Sequence, residues 1–205
     1  MGVIVFRDQY LGMVSEWMEN GNLHEYLRKN PSADRYQLCA HIASGVEYMH
    51  SRSTVHGDIK AANVLVSPDG VARLSDFDFS VMSEVCSLQF SESSNTRLGS
   101  TRWTAPEMLC EQPQRTRQSD VYALGMTMLE IFTGKVPYPE CRHDFVVLKK
   151  IENGTVPARP MEALGYDNKG NLMWELLLSC WNKDPRGRPS AEQVCDRLAS
   201  SDSSA

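Results

Sequence analysis

The stretch HGDIKAANVLV (56–66) runs into SPDG (67–70), VARLS (71–75) and DFDFS (76–80), and the rest of the chain is best read outward from it. VLV and VARLS are short β-rich runs. Pro68-Asp69-Gly70 between them is turn chemistry: proline fixes φ, aspartate bonds the local backbone and glycine frees φ. A hairpin is expected. With Asp69-Gly70 as a two-residue turn, Pro68 faces Val71 and Asn63 falls opposite Asp76. An amide oxygen and a carboxylate then converge at the open end, a reasonable pair of hard ligands for Mg²⁺. Asp58 and Lys60, on the loop entering the first strand, can face the same spot. A carboxylate to accept a hydroxyl proton, a lysine to balance phosphate charge and two metal ligands make a phosphoryl-transfer constellation. Spacing alone leaves a second reading open, in which Asp and Asn are turn formers and caps and Lys60 is a solvated charge.

Helices surround this hairpin. Asn22 is placed to cap a short helix through Leu27, after a strand in YLGMVSEWM (10–18) that ends at Glu16. From Arg35 to His50, Leu38, Ile42, Val46 and Met49 recur at helical spacing. VYALGMTMLEIF (121–132) is apolar nearly all round, the pattern of a buried central helix. FVVLKKI (145–151) and LMWELLLSCW (172–181) predict two more. A last helix follows Pro189, with Ser190 and Gln193 spaced as a capping box. Residues 83–100, rich in Ser, Thr and Asn without periodicity, read as a long surface loop, and the final SSDSSA as frayed.

The 205 residues suffice for one domain that buries roughly 70% of its unfolded surface. A net charge of −5 argues against nucleic acid or an anionic membrane as the main partner. The six cysteines form no CxxC pair, so neither a zinc site nor a disulfide framework is expected. Reduced thiols point to the cytoplasm or nucleus. The apolar run MGVIVF is too short for a signal or a membrane span.

HGDIKAANVLV with SDFD (75–78) resembles the catalytic loop and metal-binding segment of the protein-kinase-like superfamily, with Gly57 for the usual Arg and Asp78 for the usual Gly. The same two stretches also resemble aminoglycoside and choline phosphotransferases. GSTRWTAPEML (99–109) separates the two groups. It is similar to the peptide-docking segment of protein kinases, with Ser100 for Thr and Trp103 for Tyr. SDVYALGMTMLEIFTGKVPY (119–138) and CWNKDPRGRPS (180–190) resemble two further protein-kinase segments. LGMVSEWMENGNLHEYL (11–27) resembles the strand, hinge and first helix that join the two kinase lobes. On these motifs, in the family's order, the chain is identified as a member of the eukaryotic protein kinases.

The resemblance implies a mainly α (α+β) fold: a kinase large lobe with a short β-hairpin and a remnant small-lobe strand at the N-terminus. Residues 1–18 would be the end of the small lobe and the hinge, 19–200 the large lobe and 201–205 a disordered tail. Cofactors would be ATP and Mg²⁺. Asp58 would be the catalytic base with Lys60 beside it, and Asn63 and Asp76 would hold the metal. The Glu16 carbonyl and Met18 amide would bond adenine, with Leu65 beneath the ring and Ser15 as gatekeeper. Asp120 would cap its helix while bonding the catalytic-loop backbone, and Arg188 would pair with Glu107.

Lys60 and Ser100 are serine/threonine features, whereas Ala61-Ala62, EWMENGNL and CW-x-x-DP resemble tyrosine kinases. The mixture resembles tyrosine-kinase-like kinases, which mostly phosphorylate Ser and Thr. HGD, DFDFS and TRW resemble the expanded set in mushroom-forming fungi. Gly57 removes the Arg that would grip a phosphate on the activation loop, and Asp78 adds a carboxylate beside the metal ligand. Residues 1–14 hold no lysine and no G-x-G-x-x-G. This chain alone is therefore expected to bind nucleotide weakly and to expose an upper face where a partner can dock. The alternative is a pseudokinase-like scaffold; a small-molecule phosphotransferase is disfavoured by 99–109 and 180–190. The expected partner is a protein substrate phosphorylated on Ser or Thr, with no nucleic acid and no membrane insertion.

Overall fold

The structure, a computed structural model, describes residues 2–6, 10–77, 80–82 and 100–202. Residues 83–99 of the surface loop expected over 83–100, Asp78 and residues 203–205 lie outside these described residues, whereas Ser201 and Asp202, expected in the tail, belong to the last helix.

Three small antiparallel sheets are present among the described residues. β1 (Gly2–Phe6) pairs with β2 (Tyr10–Val14), from Gly2↔Val14 to Phe6↔Tyr10. The N-terminus is thus a hairpin where one strand was expected, because five residues such as GVIVF are already a full strand length. β2 ends at Val14, two residues before Glu16. β3 (Thr54–Val55) pairs with β6 (Val81–Met82). Between them in sequence lies the expected hairpin, β4 (Val64–Val66) and β5 (Ala72–Leu74).

The register of that hairpin differs from expectation by one residue: Val64↔Leu74, Leu65↔Arg73, Val66↔Ala72. The Gly70 amide donates to the Ser67 carbonyl (2.9 Å) and the Ser67 amide to the Val71 carbonyl (3.0 Å). Pro68, Asp69 and Gly70 therefore form a three-residue loop, with Gly70 at φ +82°. A glycine in the left-handed region closing such a loop is a standard hairpin solution. Its extra residue places Asn63 opposite Ser75, whose amide donates to the Asn63 carbonyl (2.9 Å), and not opposite Asp76.

Helices make up the remainder. α1 (Leu23–Lys29) starts at Asn22, which accepts from the Glu25 amide as an N-cap does. α2 (Arg35–Ser51) starts at Asp34, whose carboxylate accepts from the Tyr36 and Gln37 amides. α3 (Arg117–Thr133) starts at Thr116, in a reciprocal capping box with Ser119. That corrects the capping role expected of Asp120, which lies one position deeper and turns its carboxylate toward the loop before β4. α4 (Asp144–Glu152), α5 (Asn168–Cys180) and α6 (Ala191–Asp202) complete the set. Before α6 the Ser190–Gln193 box forms as spaced, each residue's amide donating to the other's side chain.

The core is built around α3, which is buried from Ser119 to Phe132. Leu38, Ile42 and Val46 of α2 and Met173 and Leu177 of α5 line the core beside it, and α6, with Val194 and Leu198, packs on α2 and α5. Gly125 lets α5 approach closely: a Cβ there would stand 2.7 Å from Cys180 Cβ and 2.8 Å from Trp181 Nε1. The five cysteines among the described residues are free thiols. None of the described helices is long and apolar enough to cross a membrane.

Candidate active site

The loop from His56 to Asn63 is held from below by the buried carboxylate of Asp120. Its Oδ2 accepts from the His56 amide (2.8 Å) and its Oδ1 from the Gly57 amide (2.9 Å), while His50 Nε2 donates to Oδ2 (2.9 Å). Gly57 sits at φ +80°, where a side chain would be strained. His56 is 0% exposed. Its Nε2 donates to the Ser75 carbonyl (3.2 Å) and its Nδ1 accepts from the Asp58 amide (3.3 Å), which assigns the neutral Nε2–H tautomer. Burial pushes the His56 pKa down, against the pull of Asp120 and the carboxylates beyond it. Phe77 tilts over the ring at 5.4 Å between centroids.

Asp58, Lys60 and Asn63 meet at one oxygen. Asp58 Oδ2 accepts from Lys60 Nζ (2.8 Å) and from Asn63 Nδ2 (2.8 Å). Asn63 Nδ2 also reaches the Asp58 carbonyl (2.9 Å), so both amide protons are committed and Oδ1 is the atom left to serve a cation. Lys60 Nζ donates onward to Ser100 Oγ (2.7 Å). Burial alone would raise the Asp58 pKa; Lys60, Ser100 and Asn63 outweigh it and hold the carboxyl below its ordinary value. Asp76 follows Ser75 just beyond the hairpin ladder, at φ +62°, a region aspartate tolerates better than most residues. Among the described residues no three His, Cys, Asp or Glu side chains cluster as a closed metal cage.

The segment expected to bind adenine lies along the hairpin. The Gly21 carbonyl accepts from the Val66 amide (3.0 Å), and Asn22 bridges to Leu65. Asn20 Nδ2 donates to the Ser67 carbonyl (2.7 Å), and the exposed Glu16 carboxylate lies 3.7 Å from Arg73. The Met18 carbonyl is taken by the Gly21 amide (3.0 Å). Leu65 is half-buried, and the residue it bridges, Asn22, lies four positions beyond Met18.

The Arg188 guanidinium holds Glu107 with two bonds, Nη1–Oε1 at 2.6 Å and Nη2–Oε2 at 2.7 Å. The sequence profile described as protein tyrosine and serine/threonine kinase matches residues 1–198. The chain belongs to that family. This kinase chain is similar to Tyrosine-protein kinase Src64B of Drosophila melanogaster, 32% identical over 91% of the chain and 33% of that protein. It is similar to Serine/threonine/tyrosine-protein kinase HT1 of Arabidopsis thaliana, 30% identical over 89% of the chain and 45% of that protein. Ephrin type-A receptor 5 of Gallus gallus is 31% identical over 95% of the chain and 19% of that protein. The chain thus spans less than half the length of each of these curated relatives.

Two contacts at the site of this kinase chain were not legible from spacing. Glu130, on α3 and 0% exposed, accepts at Oε2 from the Ala61 amide and from Trp103 Nε1, both at 3.1 Å. The available signal was its position as the lone charged residue in the apolar run 121–132. Arg115 Nε donates to the Gly57 carbonyl (3.3 Å), placing a guanidinium beside the position where the family's Arg is absent.

Proposed function

We propose that this chain is the catalytic lobe of a protein kinase that transfers the γ-phosphoryl group of ATP to Ser or Thr hydroxyls of protein substrates. The observation that carries this reading is the shared Asp58 Oδ2, bonded by Lys60 and Asn63 while Lys60 reaches Ser100. An ionised, buried carboxylate is suited to accept the proton of an incoming hydroxyl. Lys60 sets a positive charge next to it, where phosphate charge must be balanced. Asn63 Oδ1 and the Asp76 carboxylate would hold Mg²⁺; two protein oxygens with substrate phosphates and water completing the shell suit that ion. When bound, it neutralises charge on the phosphate oxygens. Adenine would lie between the Glu16–Met18 backbone and Leu65.

Lys60 and its bond to Ser100 support the serine/threonine choice. Their mixture with Ala61-Ala62, EWMENGNL and CW-x-x-DP supports the tyrosine-kinase-like group, and HGD, DFDFS and TRW support the branch expanded in mushroom-forming fungi. A second reading, a pseudokinase-like scaffold, is favoured by one observation. Trp17 is 83% exposed, with Ile4, Val5 and Val14 also exposed on the N-terminal strands. Large apolar side chains left exposed in this number suit an interaction surface.

The test is incubation with radiolabelled ATP, Mg²⁺ and a mixture of Ser, Thr and Tyr peptides, followed by phosphoamino-acid analysis. Transfer to Ser or Thr that falls about 10²- to 10⁴-fold in Asp58→Asn is the expected result. Label on Tyr alone would overturn the serine/threonine assignment. No transfer, with no thermal stabilisation by Mg-ATP, would replace the enzyme reading with the scaffold.

A further inference from the structure

The Glu130 carboxyl group is out of contact with water, and its two donors, both on Oε2, are neutral, so an ionised carboxylate there calls for a positive partner. No hydrogen bond of ordinary alignment reaches Oε1. Against that atom lies the His24 imidazole of α1, Nε2 foremost, as a close ionic contact. We propose that His24 is a positioning residue for the catalytic turn: protonated, it supplies the counter-charge that lets Glu130 hold Ala61 and Trp103 in place.

The proposal deepens the kinase reading, on which it rests. Ala61 opens the short turn Ala61–Asn63 that presents Asn63. Trp103 closes the turn that follows Ser100, the residue bonded to Lys60. One carboxylate therefore fastens both chain segments that meet at Asp58. If His24 loses its proton, the carboxylate keeps its two donors but has no positive partner, and the hold on both segments weakens.

His24 is placed to exchange that proton with solvent. Its side chain is 35% exposed and borders a cavity of about 400 Å³ shared with Glu25, Arg28, Arg35 and Phe132. The other cations nearby are engaged or on the solvent side. Arg35 donates to the Ile131 and Pro31 carbonyls (2.7 and 3.1 Å), Lys60 belongs to Asp58 and Ser100, and Arg28 and Glu25 share the rim of the cavity. The bond to Glu130 raises the His24 pKa above its ordinary value, burial opposes it, and the attraction of the carboxylate adds to the rise.

Three measurements on the 205-residue chain test this without requiring activity. An NMR titration of the His24 ring should give a midpoint above 6.5 that falls toward 6.5 in Glu130→Gln; a midpoint at or below 6.5 in the native chain overturns the ion pair. Thermal unfolding of the native chain should exceed that of His24→Gln by about 3 °C in acid, with the gap closing as pH rises, while His24→Lys keeps its advantage throughout. A gap that does not change with pH, or no rescue by lysine, overturns the role of the proton. Hydrogen exchange at the Ala61 amide and the Trp103 indole should quicken about tenfold in His24→Gln at acid pH. Unchanged exchange there overturns the positioning role. Failure of the kinase reading shows separately, as absent phosphate transfer with all three of these results intact.

Discussion

Arg188 and Glu107 are joined by two parallel bonds although 81 positions of chain separate them. The guanidinium side chain is 0% exposed and also donates to the Gln118 and Asn182 carbonyls, so it ties the segment around Glu107 to the N-terminus of α3 and the loop before α6. Arg188→Met should cost about 3–5 kcal/mol, because it strands a carboxylate and two carbonyls at once. Urea denaturation checks the size. The double variant with Glu107→Leu should lose less than the sum of the singles, and simple additivity would mean the pair is not coupled.

Asp120 is the staple beneath the loop from His56 to Asn63. Asparagine in its place keeps one acceptor and turns an N–H₂ toward an amide N–H or the His50 ring. Asp120→Asn should therefore cost about 3 kcal/mol. The change should be local in hydrogen exchange, with the His56 and Gly57 amides losing protection before the rest of α3. Uniform loss along the chain would point to global destabilisation instead.

The two histidines with shifted values should bend the stability curve in opposite directions. His56 is held neutral by burial, so its folded pKa lies below the unfolded 6.5. Its contribution is complete above pH 6.5 and is lost as pH falls toward the folded value, because only the unfolded chain takes up the proton there. His24, shifted upward, contributes fully below pH 6.5 and loses that contribution as pH rises through its folded value. Stability measured in urea across pH should thus fall on an acid limb that His56→Gln flattens. An acid limb unchanged by that substitution would assign the loss to other groups.

Gly125 offers a packing test with a sign decided by distance. In an open helix, Gly→Ala gains up to about 1 kcal/mol. Here the added carbon would meet Cys180 Cβ at 2.7 Å and Trp181 Nε1 at 2.8 Å, well inside contact. Gly125→Ala should instead destabilise by about 1–3 kcal/mol, read as a lower Tm. A rise in Tm would mean that α5 can slide away from α3 at little cost.

Much of the fold was legible because its physics is local. Leu38, Ile42 and Val46 repeat at helical spacing whatever they pack against, and the Ser190–Gln193 box reads directly from two letters. The register of the β4–β5 hairpin was not legible, because Pro-Asp-Gly suits a two-residue or a three-residue loop. The choice depends on whether glycine alone takes the left-handed conformation. Asp58, Lys60 and Asn63 stand close in sequence, so their meeting at one oxygen follows from a short turn. Glu130 and His24 are far apart in the chain and come together only once α1 and α3 have packed. Spacing carries no trace of that.

The three-residue loop Pro68–Gly70 sits at the far end of the hairpin from the Ala61–Asn63 turn, yet it acts as the site's ruler. Because strand side chains alternate between faces, removing one of its residues would shift β5 by one step against β4. Asp76 would then be drawn toward the ladder beside Asn63 and the Ser75 carbonyl away from His56. A surface turn at the opposite end of the hairpin thereby sets where the acidic group beyond it comes to rest.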